Sequence, residues 1–166
     1  MSVGSGTDGG LEGMTVSDCL FDGTTSGIRI KNNRGRGGLV ENCVYSDLTM
    51  TNVQHPIYIV DYYPERTAPK DPATETNAPV TERTPMFKNI AIRNLSATNC
   101  PTAGLIYGLP EAPVSGFTFE NVHISAVKGL TIYQAKDFKF TSSSIRVKEG
   151  KALILYKAEV RGMGED

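Results

Sequence analysis

The sequence predicts an all-β fold: a right-handed parallel β-helix of about five coils, interrupted by one long proline-rich loop. Three observations carry this. A short signature, a polar Asx followed by alternating apolar residues, occurs five times. A second family of short strands is interspersed among its copies. No segment has helical spacing, and signals for tight antiparallel hairpins are scarce, which disfavours the alternative, a Greek-key sandwich.

The signature covers 16–21, 40–45, 87–92, 119–124 and 135–140, with its Asx at Asp18, Asn42, Asn89, Asn121 and Asp137. These positions lie 24, 47, 32 and 16 residues apart. The second family covers 27–31, 56–59, 104–107, 129–133 and 152–156; Leu105 to Leu130 is 25 residues and Leu130 to Leu153 is 23. A period in the low twenties suits a solenoid coil, which cannot bury its own apolar face and must stack on its neighbours. Equivalent strands of successive coils run the same way, so the sheets are parallel. The Asx residues are then expected at corners, bonding neighbouring backbone and one another as amide ladders. Asp18 and Asp137 are read as such corners, not as acids.

At 166 residues the chain is expected to form one domain, 1–166. Seventeen basic against eighteen acidic side chains give a net charge of −1, which points to neither nucleic acid nor membrane. Three cysteines without C-x-x-C spacing give no reason for zinc, and no cofactor is implied. Cys19 and Cys43 read as small core residues in equivalent positions of neighbouring repeats. Of the two histidines, His55 and His123, the second alternates with Val122 and Ile124 and falls on an outer strand face. Residues 1–13 read as loop rather than leader; the last coil is expected to end near Val160, with 161–166 as a loop-like end.

The stretch 27–38 carries the functional signal. Alternation puts Ile28 and Ile30 on one strand face and Arg29 and Lys31 on the other, and a glycine-rich turn with Arg34 and Arg36 follows. Fixed cations beside a basic turn suit a carboxylate-bearing ligand. From 61 to 85 the chain holds five of its nine prolines and cannot join a central sheet. It reads as an excursion from the coil, forming a wall of the ligand groove. Glu111, in a stiff proline turn, reads as a local hydrogen-bonding residue. Asp8, Asp22 and Asp61 are the carboxylates expected near the cationic patch.

Gly-Ile-Arg-Ile-Lys at 27–31, followed by Arg-Gly-Arg-Gly-Gly, closely resembles the substrate-binding segment of bacterial polygalacturonase-like pectin hydrolases. The resemblance continues through Pro-Ile-Tyr-Ile-Val-Asp-Tyr-Tyr at 56–63 and Gly-Leu-Pro-Glu at 108–111. It implies a right-handed parallel β-helix and a secreted or periplasmic parent. It also implies that Arg29 and Lys31 bind the carboxylate and hydroxyls of a galacturonate unit. Tyr63, or its neighbour Tyr62, would pack on or bond to the sugar, with Arg34 and Arg36 completing the patch. The partner implied is a galacturonate-containing polysaccharide or oligosaccharide.

Inverting glycosidases use one carboxylic acid and one carboxylate across the scissile bond. The family draws these from an Asn-Thr-Asp motif and an Asp-Asp pair, supported by Gly-His-Gly; none of the three occurs in this sequence. Residues 1–5 resemble those that directly follow Gly-His-Gly. The expectation is a C-terminal part of such an enzyme, holding substrate but inactive alone. The alternatives are an acidic-polysaccharide-binding module and a short hydrolase with a repurposed site. A first coil without its neighbour would expose Val16, Leu20, Phe21, Ile28 and Ile30, which predicts a homo-oligomer through the N-terminal end.

Overall fold

A computed structural model describes residues 1–64, 68–69 and 71–163 of the chain. Eleven strands run in order: β1 (Ser2–Val3), β2 (Leu11–Glu12), β3 (Thr15–Asp22), β4 (Ser26–Lys31), β5 (Leu39–Thr51), β6 (His55–Val60), β7 (Met86–Tyr107), β8 (Val114–Ser115), β9 (Thr118–Thr141), β10 (Ser144–Val147) and β11 (Leu153–Arg161). Every pairing between them is parallel. The fold is a parallel β-helix, and the sandwich alternative fails because its sheets would be antiparallel.

Strands as long as β7 and β9 stay within a coil because they bend at left-handed corners. Such a conformation costs most L-residues about 1–2 kcal/mol, whereas Asn and Asp tolerate it. All five sequence-marked Asx residues adopt it, with φ of 55° at Asp18 and Asn42, 52° at Asn89, 54° at Asn121 and 56° at Asp137. They do not, however, form one equivalent set. Register places Asn42 opposite Asn89 in one column, whereas Asp18, Asp47, Asn94 and Asn121 form a second. In the second column Asn94 Nδ2 donates to Asp47 Oδ1 and Asn121 Nδ2 donates to Asn94 Oδ1, each at 2.9 Å. A third column bonds Asn52 to Asp22 and Asn99 to Asn52. The expected amide ladder is therefore present, but the marked spacings mixed two columns. Asp47 and Asn94 are 47 residues apart, because that coil carries the excursion, and Asn94 and Asn121 only 27.

Two register expectations need correction for the same reason. Cys19 pairs with Leu48 while Cys43 pairs with Ile90, so the two cysteines belong to different columns. Leu130 is opposite Gly104, not Leu105, which points outward. A Cβ at Gly104 would collide with Ile57 O, and its φ of 141° suits glycine.

The core of the solenoid is built from apolar side chains. Ile28, Ile57, Leu130, Ile30, Ile59, Ile106 and Ile132 stack inward, and Phe119 stacks on Phe140 at 4.2 Å between ring centroids. Residues 1–13 are not loop throughout. Val3 pairs with Ile30 and Leu11 with Val40, and Ile28 and Ile30 are 1% and 0% exposed. Leu20 points outward at 76% exposure, so of the expected uncovered residues Val16 and Phe21 remain, only partly buried along β3. β11 ends at Arg161, one residue past the expected limit; 164–166 of the tail lie outside the described residues. The described part of 61–85 holds no strand, only a 3-10 turn at Pro72–Thr74 and a single bridge from Tyr62 to Asn33; 65–67 and 70 lie outside the described residues.

Candidate functional site

One column of strands positions the site: β4, β6, the end of β7, the middle of β9 and the start of β11. Because side chains alternate, the outward rows are Arg29, Tyr58, Leu105, Thr131 and Ile154, and beside them Lys31, Val60, Tyr107, Tyr133 and Tyr156. Arg29 and Lys31 thus stand on the outer face, towards the N-terminal end of two rows that, apart from Thr131, are aromatic or apolar further along.

These rows are not bare. Tyr58, Val60, Tyr62, Tyr107, Leu109 and Ala112 form a second apolar core outside the solenoid, with Tyr63, Ala68 and Tyr133 packed against it. The tyrosines run in series, Tyr62 to Tyr107 at 4.7 Å and Tyr107 to Tyr133 at 4.6 Å between centroids. The lid of this core is the proline-rich excursion together with the turn 108–113. Burial, with the nearby Glu75 charge second, pushes the Tyr107 hydroxyl up to about 12.

The structure brings Arg29, Lys31 and Tyr63 together. The Arg29 guanidinium carbon lies 5.4 Å from the Tyr58 ring centroid and 5.5 Å from that of Tyr63, so the guanidinium is held between two rings. Lys31 Nζ is 4.3 Å from the Tyr63 centroid. Tyr63 therefore contacts both cations, and its place is fixed by its own N–H, which donates to Asn32 O at 2.8 Å. Arg29 Nε is buried and has no acceptor among the described residues.

Arg34 and Tyr62 are arranged differently. Tyr62 is 4% exposed, inside the second core. Arg34 Nε and Nη2 donate to the two carboxylate oxygens of Glu111 at 2.7 and 2.9 Å, and Nη2 also reaches Glu75 at 3.3 Å. Its guanidinium carbon is 5.7 Å from the Tyr62 centroid. Glu111 bonds locally, to its own backbone N–H, as expected, and in addition over long range, since Arg34 is 77 residues away. Arg36 is exposed on the same turn, and its carbonyl accepts from Thr7 N at 3.2 Å. The glycines of this turn serve close approach. Gly37 N donates to Arg83 O at 2.9 Å, and a Cβ on Gly37 would meet that oxygen.

Two carboxyl groups bond to this guanidinium and a third, Asp61, feels its charge, and their protonation separates. Asp61, beside Tyr62, is fully buried, and neither carboxyl oxygen has a partner among the described residues. Burial first, and the Glu111 charge second, hold its carboxyl well above the usual range, with Arg34 only partly offsetting them. Burial also raises Glu75 against the pull of Arg34. Burial works on Glu111 too, but the Arg34 hydrogen bonds and charge, with the backbone N–H of Ala78, outweigh it and leave that carboxyl below its usual value. The other two carboxylates expected near the patch go elsewhere: Asp8 lies 3.8 Å from Arg83, and Asp22 accepts from Asn52 in a corner column. His123 is exposed on a different face, bonded to Ser144 and Asn121.

Sequence reasoning missed Tyr58, Tyr107, Glu75 and the partner of Glu111. One signal was available for the first. Residues 56–60 are apolar without alternation, the mark of a strand covered on both faces.

Comparison with known proteins identifies the family. The sequence model of Glycosyl hydrolases family 28 matches residues 1–147. The chain is 43% identical over 67 residues to a polygalacturonase of Ralstonia nicotianae, covering 38% of this chain and 13% of that one. It is 41% identical over 66 residues to an endo-polygalacturonase of Pectobacterium carotovorum subsp. carotovorum, covering 40% and 16%. A probable polygalacturonase of Vitis vinifera is 25% identical over 147 residues, 87% of this chain and 28% of that one. The matched parts thus span between 13% and 28% of these relatives. No solved structure gave a significant match. A parallel β-helix with outward cations on β4, matched over nearly all its length, belongs to glycosyl hydrolases family 28.

Proposed function

We propose that this chain is a pectin-hydrolase-like β-helix that holds galacturonan through Arg29 and Lys31 and does not cleave it by itself. The observation that carries the reading is the state of Arg29. Its guanidinium is fixed between Tyr58 and Tyr63, and its buried Nε–H lacks an acceptor among the described residues. Arg29 as a whole is half-buried, and an incoming uronate carboxylate would bond the guanidinium N–H groups that remain accessible, a charge-assisted contact. Lys31, at the same tyrosine, supplies a second cation for a hydroxyl or the next carboxylate. The relatives' printed names, polygalacturonase, support the same ligand class.

Calorimetric titration with oligogalacturonate tests this. Arg29→Ala should weaken binding by about 1.5–3 kcal/mol, the range for charge-assisted hydrogen bonds, with unchanged unfolding. Equal affinity in the variant would remove Arg29 from the site.

The alternative is a repurposed hydrolase, and one observation favours it: Asp61 and Glu111 have carboxyls pushed apart in pKa, as an acid and a base would. Against it, Asp61 has no exposed surface and Glu111 is locked on Arg34, so neither faces a sugar. No reducing sugar should be released from galacturonan. Release that Asp61→Asn abolishes would establish the alternative. We also infer that chains associate through the free edge of β3, where Val16 and Phe21 are only partly covered.

A further inference from the structure

We propose that Arg34 is a positioning residue: it locks the proline-rich excursion down so that Tyr63 can hold Arg29 and Lys31 in place for an acidic glycan. This rests on the functional reading above and changes the role of one of its residues, since the sequence groups Arg34 with the ligand-binding cations.

Three segments distant in the chain meet at this guanidinium. Arg34 belongs to the turn after β4, Glu75 to the excursion and Glu111 to the turn after β7. The side chains of both glutamates are 4% exposed and that of Arg34 is 37% exposed, so the carboxylates are sheltered while one side of the guanidinium meets solvent. Glu111 also takes the Ala78 N–H, a second tie to the excursion. Between these ties lies Tyr62, with Arg34 on one side and Tyr107 on the other. Tyr62 bridges to Asn33, and the next residue, Tyr63, bonds to Asn32 O. The positions of Tyr62 and Tyr63 are thus set together, and Tyr63 contacts both outer cations.

A direct role in binding the ligand is disfavoured by the same contacts. Two carboxylates already neutralise Arg34, and its Nε and Nη2 are committed to them. A guanidinium so compensated exerts little net attraction on a further anion.

The two roles predict opposite signs for Glu111→Gln. If Arg34 positions, the substitution loosens the lock, and oligogalacturonate affinity falls by about ten-fold. If Arg34 binds the ligand, removing its competing carboxylate frees the guanidinium, and affinity rises. Arg34→Lys separates them again: the positioning role loses its bidentate geometry and binding weakens, whereas a direct cation role is largely retained. Amide hydrogen exchange on the full chain without ligand supplies the readout that survives failure of the functional reading. Exchange at the Tyr63 amide should accelerate in Glu111→Gln while the core amides of Ile90 and Ile92 keep their protection. Unchanged exchange at Tyr63, or tighter oligogalacturonate binding, would overturn the proposal. Should Glu111→Gln unfold the chain, Glu75→Gln decides by the same two measurements. If the wild-type chain binds no oligogalacturonate, the functional reading fails, and exchange at Tyr63 alone decides whether Arg34 positions it.

Discussion

Replacing Asp61 by asparagine should make the chain more stable at neutral pH, and by more the higher the pH. One guanidinium, Arg34, faces Glu111, Glu75 and Asp61, and it gives its bidentate pair to Glu111. Asp61 has no exposed surface, and neither carboxyl oxygen has a partner among the described residues, so its charged form is disfavoured. Its folded pKa therefore lies well above the usual carboxylate range. The folded state then binds the proton that the unfolded state releases, and stability falls as pH rises between the two pKa values. For one group the slope reaches about 1.4 kcal/mol per pH unit.

Asparagine keeps the shape and cannot ionise. Near pH 4 the two proteins should have similar urea midpoints. From there upward the gap should open in favour of the variant, at up to about 1.4 kcal/mol per unit, until the folded pKa of Asp61 is passed. Reading the difference between variant and wild type cancels the opposite contribution of Glu111, whose lowered pKa stabilises the fold above the usual range and is lost in acid. Far-UV circular dichroism across urea gradients at several pH values measures this. A gap independent of pH would mean that Asp61 titrates at an ordinary value. A gap that grows in the opposite sense would mean that Asp61 is an ionised partner of Arg34, and the reasoning from burial would be refuted.

Two further predictions concern the solenoid. Asn121 is exposed, so its value lies in its φ of 54° and its ladder bonds to Asn94 and His123; Asn121→Ala should cost about 1–2 kcal/mol and Asn121→Gly much less, and equal losses in urea unfolding would assign the cost to the amide instead. Light scattering at micromolar concentration should give more than 17.9 kDa if β3 edges associate, and Val16→Lys should return the monomer; a wild-type monomer would remove that interface.

The solenoid was legible because its corners impose a local rule. A left-handed residue is most often Asn, Asp or Gly, and that preference is written at Asp18, Asn42, Asn89, Asn121 and Asp137, although Gln134, Ser142 and Lys157 also adopt the conformation. Which corner each one occupies was not legible. Asn89 and Asn121 have the same chemistry and the same flanking pattern, and they differ only in their register partners, Asn42 and Asn94. Coil lengths that vary with each insertion erase the period that would have separated them.

The site was half legible, and the division is physical. Arg29 and Lys31 could be placed because strand alternation is strict at 28–31, and the outward direction follows from it. The cover over the rest of that face could not, because outward on a strand does not mean wet. Tyr107 and Tyr133 alternate as solvent-facing residues would, yet the excursion and the turn 108–113 bury Tyr107 and half-bury Tyr133. Nor does any local pattern announce an ion pair between residues 77 positions apart. The segment with the least periodicity in the chain thus places Tyr63, which holds the two residues that periodicity identified most clearly. A face of this kind combines rigid strands that present its cations with an irregular segment that packs against them, and only the strands leave a repeating trace in the sequence.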